Sequence, residues 1–236
     1  MKKLYDKAPV WFAVAWIAVY VLGFGNADNL SLALGMPKVL TVAVGLALSV
    51  IAFCFIRANG LQEYFGLCKV KRPWKELAYF LPLLPIALVN LVCGFQMPTN
   101  ILAAVLGAVS MCFVGFLEEV IFRGFLFKAI SRDNVKTAFI VSSVTFGAGH
   151  IVNLLMGAPV GQTLLQLVYA TAAGFCFTAV FYAGGSLLPC IAAHIIVNVT
   201  SVFIQEPSRE VLVLTALAQT VISLGYGFWL LRKKKN

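Results

Sequence analysis

Long apolar runs follow one another along almost the whole chain, separated by short polar stretches. A helix needs about 20 apolar residues to cross a hydrocarbon core of about 30 Å. Eight runs approach or exceed this length, and they cover residues 10–24, 39–56, 77–95, 101–130, 137–156, 163–182, 187–204 and 211–231. They are continuous rather than alternating, which disfavours the short strands of a membrane barrel. The pattern therefore predicts an all-α fold, a polytopic transmembrane bundle of about eight helices.

The composition supports a membrane protein without a separate soluble module. Hydrophobic residues make up 61% of the chain and charged residues only 11%, whereas globular domains average about 25% charged residues. The longest polar stretch, residues 57–76, is too short to bury a core of its own. We therefore expect a single integral membrane domain covering residues 1–236.

The basic residues are distributed unevenly between the predicted connections. With a cytoplasmic N-terminus and eight spans, fifteen of the eighteen Lys and Arg residues fall on the cytoplasmic side. Only Lys38 and Arg209 lie on the opposite side, and Arg123 lies within a span. This positive-inside bias predicts that both termini are cytoplasmic. The basic residues behind the net charge of +9 then lie at the cytoplasmic surface of the membrane, so no nucleic-acid partner is expected.

The six cysteines are scattered along the chain without a CxxC pair, so neither a disulfide framework nor a thiolate metal site is indicated. The first apolar run follows a basic stretch, as in a signal peptide. No convincing small-residue cleavage site precedes the polar residues 26–29. We expect this run to be a retained span.

The fourth run contains three charged residues, Glu118, Glu119 and Arg123. A charge at bilayer depth costs at least about 2.5 kcal/mol, so it is retained where it is paired or used. Glu119 and Arg123 are four residues apart, with the acid toward the N-terminus, which favours an ion pair. Glu118 projects about 100° away from that pair. A desolvated carboxylate without a local cation accepts a proton readily, as a general base must. A purely structural network between helices is the alternative.

Both histidines of the chain lie in predicted spans. Phe146 precedes His150 by four residues, and Asn198 follows His194 by four, so each pair shares a helix face. At about 1.5 Å per residue, Glu118, His150 and His194 lie roughly 15, 21 and 14 Å from the nearest cytoplasmic turn. These side chains can therefore meet in one layer of the bundle. We expect water to reach that layer from the cytoplasmic side.

The three polar segments resemble a known protease family. The segments EEVIFR, FGAGH and HIIVN are similar to the EExxxR, FxxxH and HxxxN motifs of the CPBP intramembrane proteases. That group includes type II CAAX prenyl endopeptidases and bacterial Abi or lysostaphin-resistance-like proteins. The motif-bearing protease core corresponds to residues 101–205 approximately. Each motif alone is weak, but three in order, each in its own span, are a strong signal.

The resemblance implies an intramembrane endopeptidase with a cavity open to the membrane and the cytosol. It implies that Glu118 and His150 activate a water and that His194 and Asn198 stabilise an oxyanion. Glu119 and Arg123 then hold the geometry of the site. The implied substrate is a membrane-embedded or lipid-anchored peptide or protein, and no cofactor is required in this interpretation.

Two other interpretations remain open. Glu118, His150 and His194 could instead be the ligands of a zinc ion, because one carboxylate and two imidazoles form a common hydrolytic zinc set. The HExxH spacing is absent, and Glu118 cannot easily serve as both ligand and base. A non-catalytic membrane immunity or scaffold protein is the other alternative. Intact motif residues count against it, and the missing internal repeats count against a proton-coupled transporter.

Overall fold

The computed structural model describes residues 1–70 and 80–235, and these residues are mostly helical, without an extended strand. The helices, numbered in chain order, are α1 (Lys2–Lys7), α2 (Pro9–Ala33), α3 (Val39–Ala58), α4 (Leu83–Ala87), α5 (Ile101–Ile130), α6 (Val135–Gly149), α7 (Val152–Leu155), α8 (Val160–Gly184), α9 (Leu188–Thr200) and α10 (Arg209–Lys235). Short 3-10 segments follow α4 at Val89–Cys93 and α9 at Ser201–Phe203. The predicted all-α class is confirmed.

Six helical stretches in the described ranges are long and apolar enough to cross a membrane: α2, α3, α5, α6 together with α7, α8 and α10. The seventh expected span is a shorter apolar helix, Leu188–Phe203. The third expected span, residues 77–95, begins with residues 77–79, which lie outside the described residues. Its described remainder holds α4, which begins directly after Pro82. Proline disrupts helical hydrogen bonding, so short segments replace a continuous helix there.

Local sequence signals set the ends of the helices that carry the site. The side chain of Asn100 accepts a hydrogen bond from the Ala103 amide (2.9 Å) at the start of α5, and Asn134 accepts one from Thr137 (3.0 Å) at the start of α6. Such caps satisfy amides that have no partner within the helix. At the end of α8, Gly185 adopts a left-handed conformation (φ 71°), which glycine accepts without steric cost.

The middle of α5 departs from α-helical geometry. Glu119–Phe127 forms a π-helical segment, and each of its residues is buried. Segments of this kind are rare and occur frequently at functional sites. The segment begins at the second of the two adjacent glutamates, so Glu119 and Arg123 lie where the backbone of α5 is widened.

Aromatic side chains fill one end of the bundle. The basic-end cluster is formed by rings from α1, α2, α3, α5 and the connection after α3, and it contains Tyr5, Phe12, Phe55, Phe65 and Phe125. Beside it, Arg132 donates hydrogen bonds to the hydroxyls of Tyr5 (3.0 Å) and Tyr64 (3.1 Å). This packing closes the end of the bundle at which Lys128 and Arg132 lie.

The outer surface of the long helices is apolar. Leu22, Val105, Ile140 and Val221 are more than half exposed, and they belong to four different helices. A soluble protein rarely exposes apolar surface so extensively, whereas a hydrocarbon environment accommodates it. Together with the six long apolar helices, this surface identifies an integral membrane protein.

Candidate active site

The predicted polar residues meet in the interior of the bundle, between α2, α5, α6, α8 and α9. A close approach of α5 and α9 makes this possible. A Cβ added to Gly115 would lie 2.9 Å from the Ile195 side chain and 3.0 Å from its backbone nitrogen. Any larger residue at position 115 would push the two helices apart. The glycine therefore sets the distance between the glutamates of α5 and His194 of α9.

Glu119 is the centre of a buried ion pair. Its Oε1 accepts hydrogen bonds from Arg123 Nη1 (3.1 Å) and from His194 Nδ1 (2.8 Å). Glu119 and Arg123 are fully buried, and His194 is 6% exposed. The predicted pairing of Glu119 with Arg123 is therefore present. The second contact, with His194, joins α9 to the pair.

Aromatic rings enclose the Arg123 guanidinium. Its Cζ lies 4.0 Å from the centre of the Phe146 ring and 5.6 Å from that of Phe177. Such cation–π contacts stabilise a desolvated guanidinium. On α8, a Cβ added to Gly174 would lie 3.2 Å from Arg123 Nη2. The absence of a side chain at position 174 thus gives the guanidinium room beside α8.

Glu118 has different surroundings from Glu119. Its Oε1 accepts a hydrogen bond from the Tyr20 hydroxyl of α2 (2.6 Å), and its Oε2 lies 3.4 Å from His194 Nε2. The Glu118 side chain keeps 14% of its surface exposed, whereas Glu119 keeps none. Glu118 therefore has partners from other helices and still faces open space. It has no Lys or Arg among these contacts, as the sequence predicted.

His194 bridges the two glutamates through its two ring nitrogens. Glu119 is paired with Arg123 and accepts hydrogen bonds only, so Nδ1 must carry the proton of the His194–Glu119 bond. On the other side of the ring, Nε2 lies 3.4 Å from Glu118 Oε2, so His194 links the two carboxylates.

His150 lies at the end of α6 and is only half-buried. Its Nδ1 is 3.2 Å from the carbonyl oxygen of Phe146, so this nitrogen carries a proton and donates it to the backbone. The Phe146 ring packs edge-on against both histidines, with centroid distances of 5.5 Å to His150 and 5.7 Å to His194. In the neutral form of the ring with the proton on Nδ1, His150 Nε2 is an acceptor.

Two adjoining cavities contain the predicted residues. The larger, of about 580 Å³, is lined by Glu118 and His150. The smaller, of about 160 Å³, is lined by His150, His194 and Asn198. His150 and Phe146 line both cavities and form part of the wall between them. Asn198 and His194 share one cavity, in agreement with their spacing in the sequence.

The larger cavity extends away from the basic-end cluster. Its lining reaches Asp28 and Asn29 at the end of α2, Lys38 before α3, and Met156 after α7. Lys38 and Asp28 form an ion pair (2.6 Å) there. The expectation that water reaches the site from the side of the basic residues is therefore wrong for this cavity. Aromatic packing fills the basic end, and the cavity opens toward the opposite one.

The alternative zinc ligands are not gathered around one point. Among the described residues, no three His, Cys, Asp or Glu side chains are grouped to hold a metal ion. The Nδ1 of His194 bonds to Glu119 and the Nδ1 of His150 bonds to a carbonyl, which leaves the Nε2 of each ring and the Glu118 carboxylate as metal donors. The zinc interpretation therefore stays an alternative to the metal-free reaction.

Tyr20 was not found from the sequence, although a signal exists. Phe12, Trp16, Tyr20 and Phe24 repeat every four residues along α2, and the first three are buried. Such a stripe indicates a helix face that packs against a neighbour. It does not indicate which neighbour, so the contact with Glu118 became visible only in the structure.

Comparison with known families supports the resemblance. Residues 98–200, somewhat less than half of the chain, match the family model described as Type II CAAX prenyl endopeptidase Rce1-like. The matched segment contains all three motifs, from Glu118 to Asn198. The family suggested by the motifs is confirmed for this segment, which carries a domain of a protease family. No curated protein and no solved structure matches the chain significantly.

Proposed function

We propose that this chain, whose residues 98–200 carry a domain of the type II CAAX prenyl endopeptidase family, hydrolyses peptide bonds of membrane-embedded or lipid-anchored substrates. The observation that supports this most strongly is the asymmetry of the two adjacent glutamates. Glu119 is fully buried against Arg123, while Glu118 faces a cavity together with His150. A carboxylate beside an imidazole in a cavity is suited to activate a water.

In the proposed reaction, Glu118 Oε2 accepts a proton from a water molecule. The water oxygen attacks the carbonyl carbon of the peptide, and the carbonyl oxygen becomes an oxyanion. His150 Nε2 accepts a hydrogen bond from the same water and orients it. When the C–N bond breaks, the proton held by Glu118 passes to the leaving amine. The products are a free amine and a carboxylic acid, which loses its proton to solvent, and no covalent intermediate with the enzyme forms.

His194 and Asn198 are the proposed oxyanion donors. Glu119 accepts the Nδ1 proton of His194 and so fixes the orientation of its ring. In the proposed site a protonated His194 Nε2 donates toward the oxyanion, and Asn198 lines the smaller cavity together with His194. Donors held in place before the reaction stabilise developing charge without reorganisation.

The substrate class follows from the surroundings of the site and from the family. A cavity within a membrane bundle receives a peptide that is itself at the membrane, and the family name indicates C-terminal prenylated peptides. Prenylation is one possible lipid anchor of such a substrate. A panel of membrane peptides, each with and without a prenylated C-terminal cysteine, separates the two substrate types.

The test is cleavage of this panel by purified protein in detergent or vesicles. Wild type is compared with Glu118→Ala and with Glu206→Ala, which removes an exposed carboxylate outside the site. We expect cleavage by wild type and by Glu206→Ala, and none by Glu118→Ala. Cleavage of no peptide by the folded wild-type protein would favour the non-catalytic scaffold instead.

A further inference from the structure

The hydroxyl of Tyr20 provides a contact to the proposed base from outside the matched domain. α2 precedes residue 98 and carries none of the motif residues. Tyr20 is 8% exposed, and its hydroxyl donates to Glu118 Oε1 at 2.6 Å. A hydrogen bond from a neutral donor to a carboxylate at this distance is short and strong. α2 therefore reaches the layer of the bundle that contains Glu118.

The contact is fixed by the packing of two helices. Phe12 and Trp16 lie two turns and one turn before Tyr20, respectively, on the same face of α2. Their rings contact Phe125, with centroid distances of 5.0 and 5.6 Å. Phe125 lies seven residues after Glu118 on α5, so the helices run antiparallel, with Tyr20 opposite Glu118. The aromatic stripe thus sets the register that brings the hydroxyl to the carboxylate.

The bond also distinguishes the two oxygens of Glu118. Tyr20 occupies Oε1, while Oε2 faces His194 at 3.4 Å. A carboxylate that acts as a base must present one oxygen to the water in a fixed direction, because misplacement of a reacting group slows the reaction. With Oε1 held by Tyr20, Oε2 is the oxygen left to take the proton.

We propose that Tyr20 is a positioning residue for Glu118, holding Oε1 so that Oε2 faces the substrate. Its catalytic consequence rests on the proposed endopeptidase function. The hydrogen bond between Tyr20 and Glu118 does not depend on that function. The contact and its effect on catalysis can therefore be tested separately. α2, which lies N-terminal to the matched domain, then forms part of the active site because it completes the surroundings of Glu118.

The experiment compares Tyr20→Phe with wild type in two measurements. The first is cleavage kinetics with the best substrate of the panel. Loss of the hydroxyl should lower kcat by about tenfold or more and leave KM within about twofold, because orientation of the base matters in the transition state rather than in substrate binding. The matched control is Tyr5→Phe, which removes a hydroxyl bonded to Arg132 in the basic-end cluster.

The second measurement is the infrared carboxylate band of Glu118, identified by its absence in Glu118→Gln. We expect this band to shift in Tyr20→Phe and to remain in place in Tyr5→Phe. An unshifted band in folded Tyr20→Phe would overturn the contact. A shifted band with unchanged kcat would overturn the positioning role, as would an equal loss of kcat in Tyr5→Phe. A shifted band in a protein that cleaves nothing would keep the contact and reject the endopeptidase function.

Discussion

The two sides of the polar cluster differ in what surrounds each glutamate. On one side, Glu119 and Arg123 are fully buried, bonded to each other and enclosed by Phe146 and Phe177. On the other side, Glu118 keeps part of its surface open to a cavity and meets only groups that can exchange or donate a proton. Adjacent residues of one helix thus have different surroundings. We expect the buried pair to organise the site and the open carboxylate to take part in the chemistry.

His194 joins the two sides of the polar cluster. Its Nδ1 is held by Glu119 and its Nε2 faces Glu118. A change on the buried side therefore reorients a group on the reactive side. Substitutions on the buried side should lower stability and activity together, while those on the cavity side should lower activity alone.

The largest expected effect on stability is that of Arg123→Ala. The substitution leaves Glu119 buried without its cation, and breaking a buried pair typically costs about 3 to 5 kcal/mol. We expect a lower yield of folded protein and a lower unfolding temperature in a thermal denaturation assay. Arg209→Ala, which removes an exposed arginine at the start of α10, is the control and should behave as wild type. Equal stability of Arg123→Ala and wild type would show that the ion pair does not stabilise the fold.

A smaller effect, confined to activity, is expected for Asn198→Ala. Removal of one oxyanion donor usually lowers turnover by about a hundredfold or more. The residue lies on the wall of the smaller cavity and is half-buried, so stability should change little. Asn59→Ala, at the end of α3, controls for loss of an asparagine elsewhere. A kcat of Asn198→Ala equal to that of wild type would remove Asn198 from the proposed oxyanion site.

The six proposed site residues could be predicted because their chemistry is unusual inside a membrane and their spacing within single helices is regular. Glu119 with Arg123, and His194 with Asn198, are related by one helical turn, which a sequence shows directly. The bridge from His194 to both glutamates depends instead on the register between α5 and α9. The contact between Tyr20 and Glu118 likewise depends on the register between α2 and α5.

The direction in which the larger cavity extends could not be predicted either, because it also depends on packing between helices. The sequence places the basic residues at one end of the bundle but does not show that Phe12, Phe55 and Phe125 fill that end. The described part of the third expected span, residues 80–95, contains only short helical segments, because hydropathy counts apolar residues and does not detect where a helix stops. Pro82, directly before α4, is the sequence signal for this interruption.

Cysteine labelling compares the two ends of the bundle. The charge distribution predicts that the basic end is cytoplasmic, so the larger cavity opens toward the opposite side. In a cysteine-free background, Asn29→Cys at the cavity lining should react with a membrane-impermeant thiol reagent in intact cells several-fold faster than Lys3→Cys. Faster labelling of Lys3→Cys would reverse the orientation of the chain.

No effect is expected from metal removal. The proposed reaction uses Glu118 as the base, and Glu118 cannot easily serve as both base and metal ligand, so no step of that reaction requires a metal ion. Purified protein stripped with a strong chelator and checked by elemental analysis should keep most of its cleavage activity. Loss of activity that stoichiometric zinc restores would instead make Glu118, His150 and His194 metal ligands.

The difference between the two glutamates is tested most directly by comparing Glu118→Gln with Glu119→Gln in both cleavage and thermal unfolding assays. Glu118→Gln should lose activity by about a thousandfold or more while unfolding near the wild-type temperature, because a neutral amide cannot accept the proton of water. Glu119→Gln should be destabilised by about 3 to 5 kcal/mol, because it leaves Arg123 buried without its anion. Substantial cleavage by Glu118→Gln, or unfolding of both variants at the same lowered temperature, would contradict the division of roles between them.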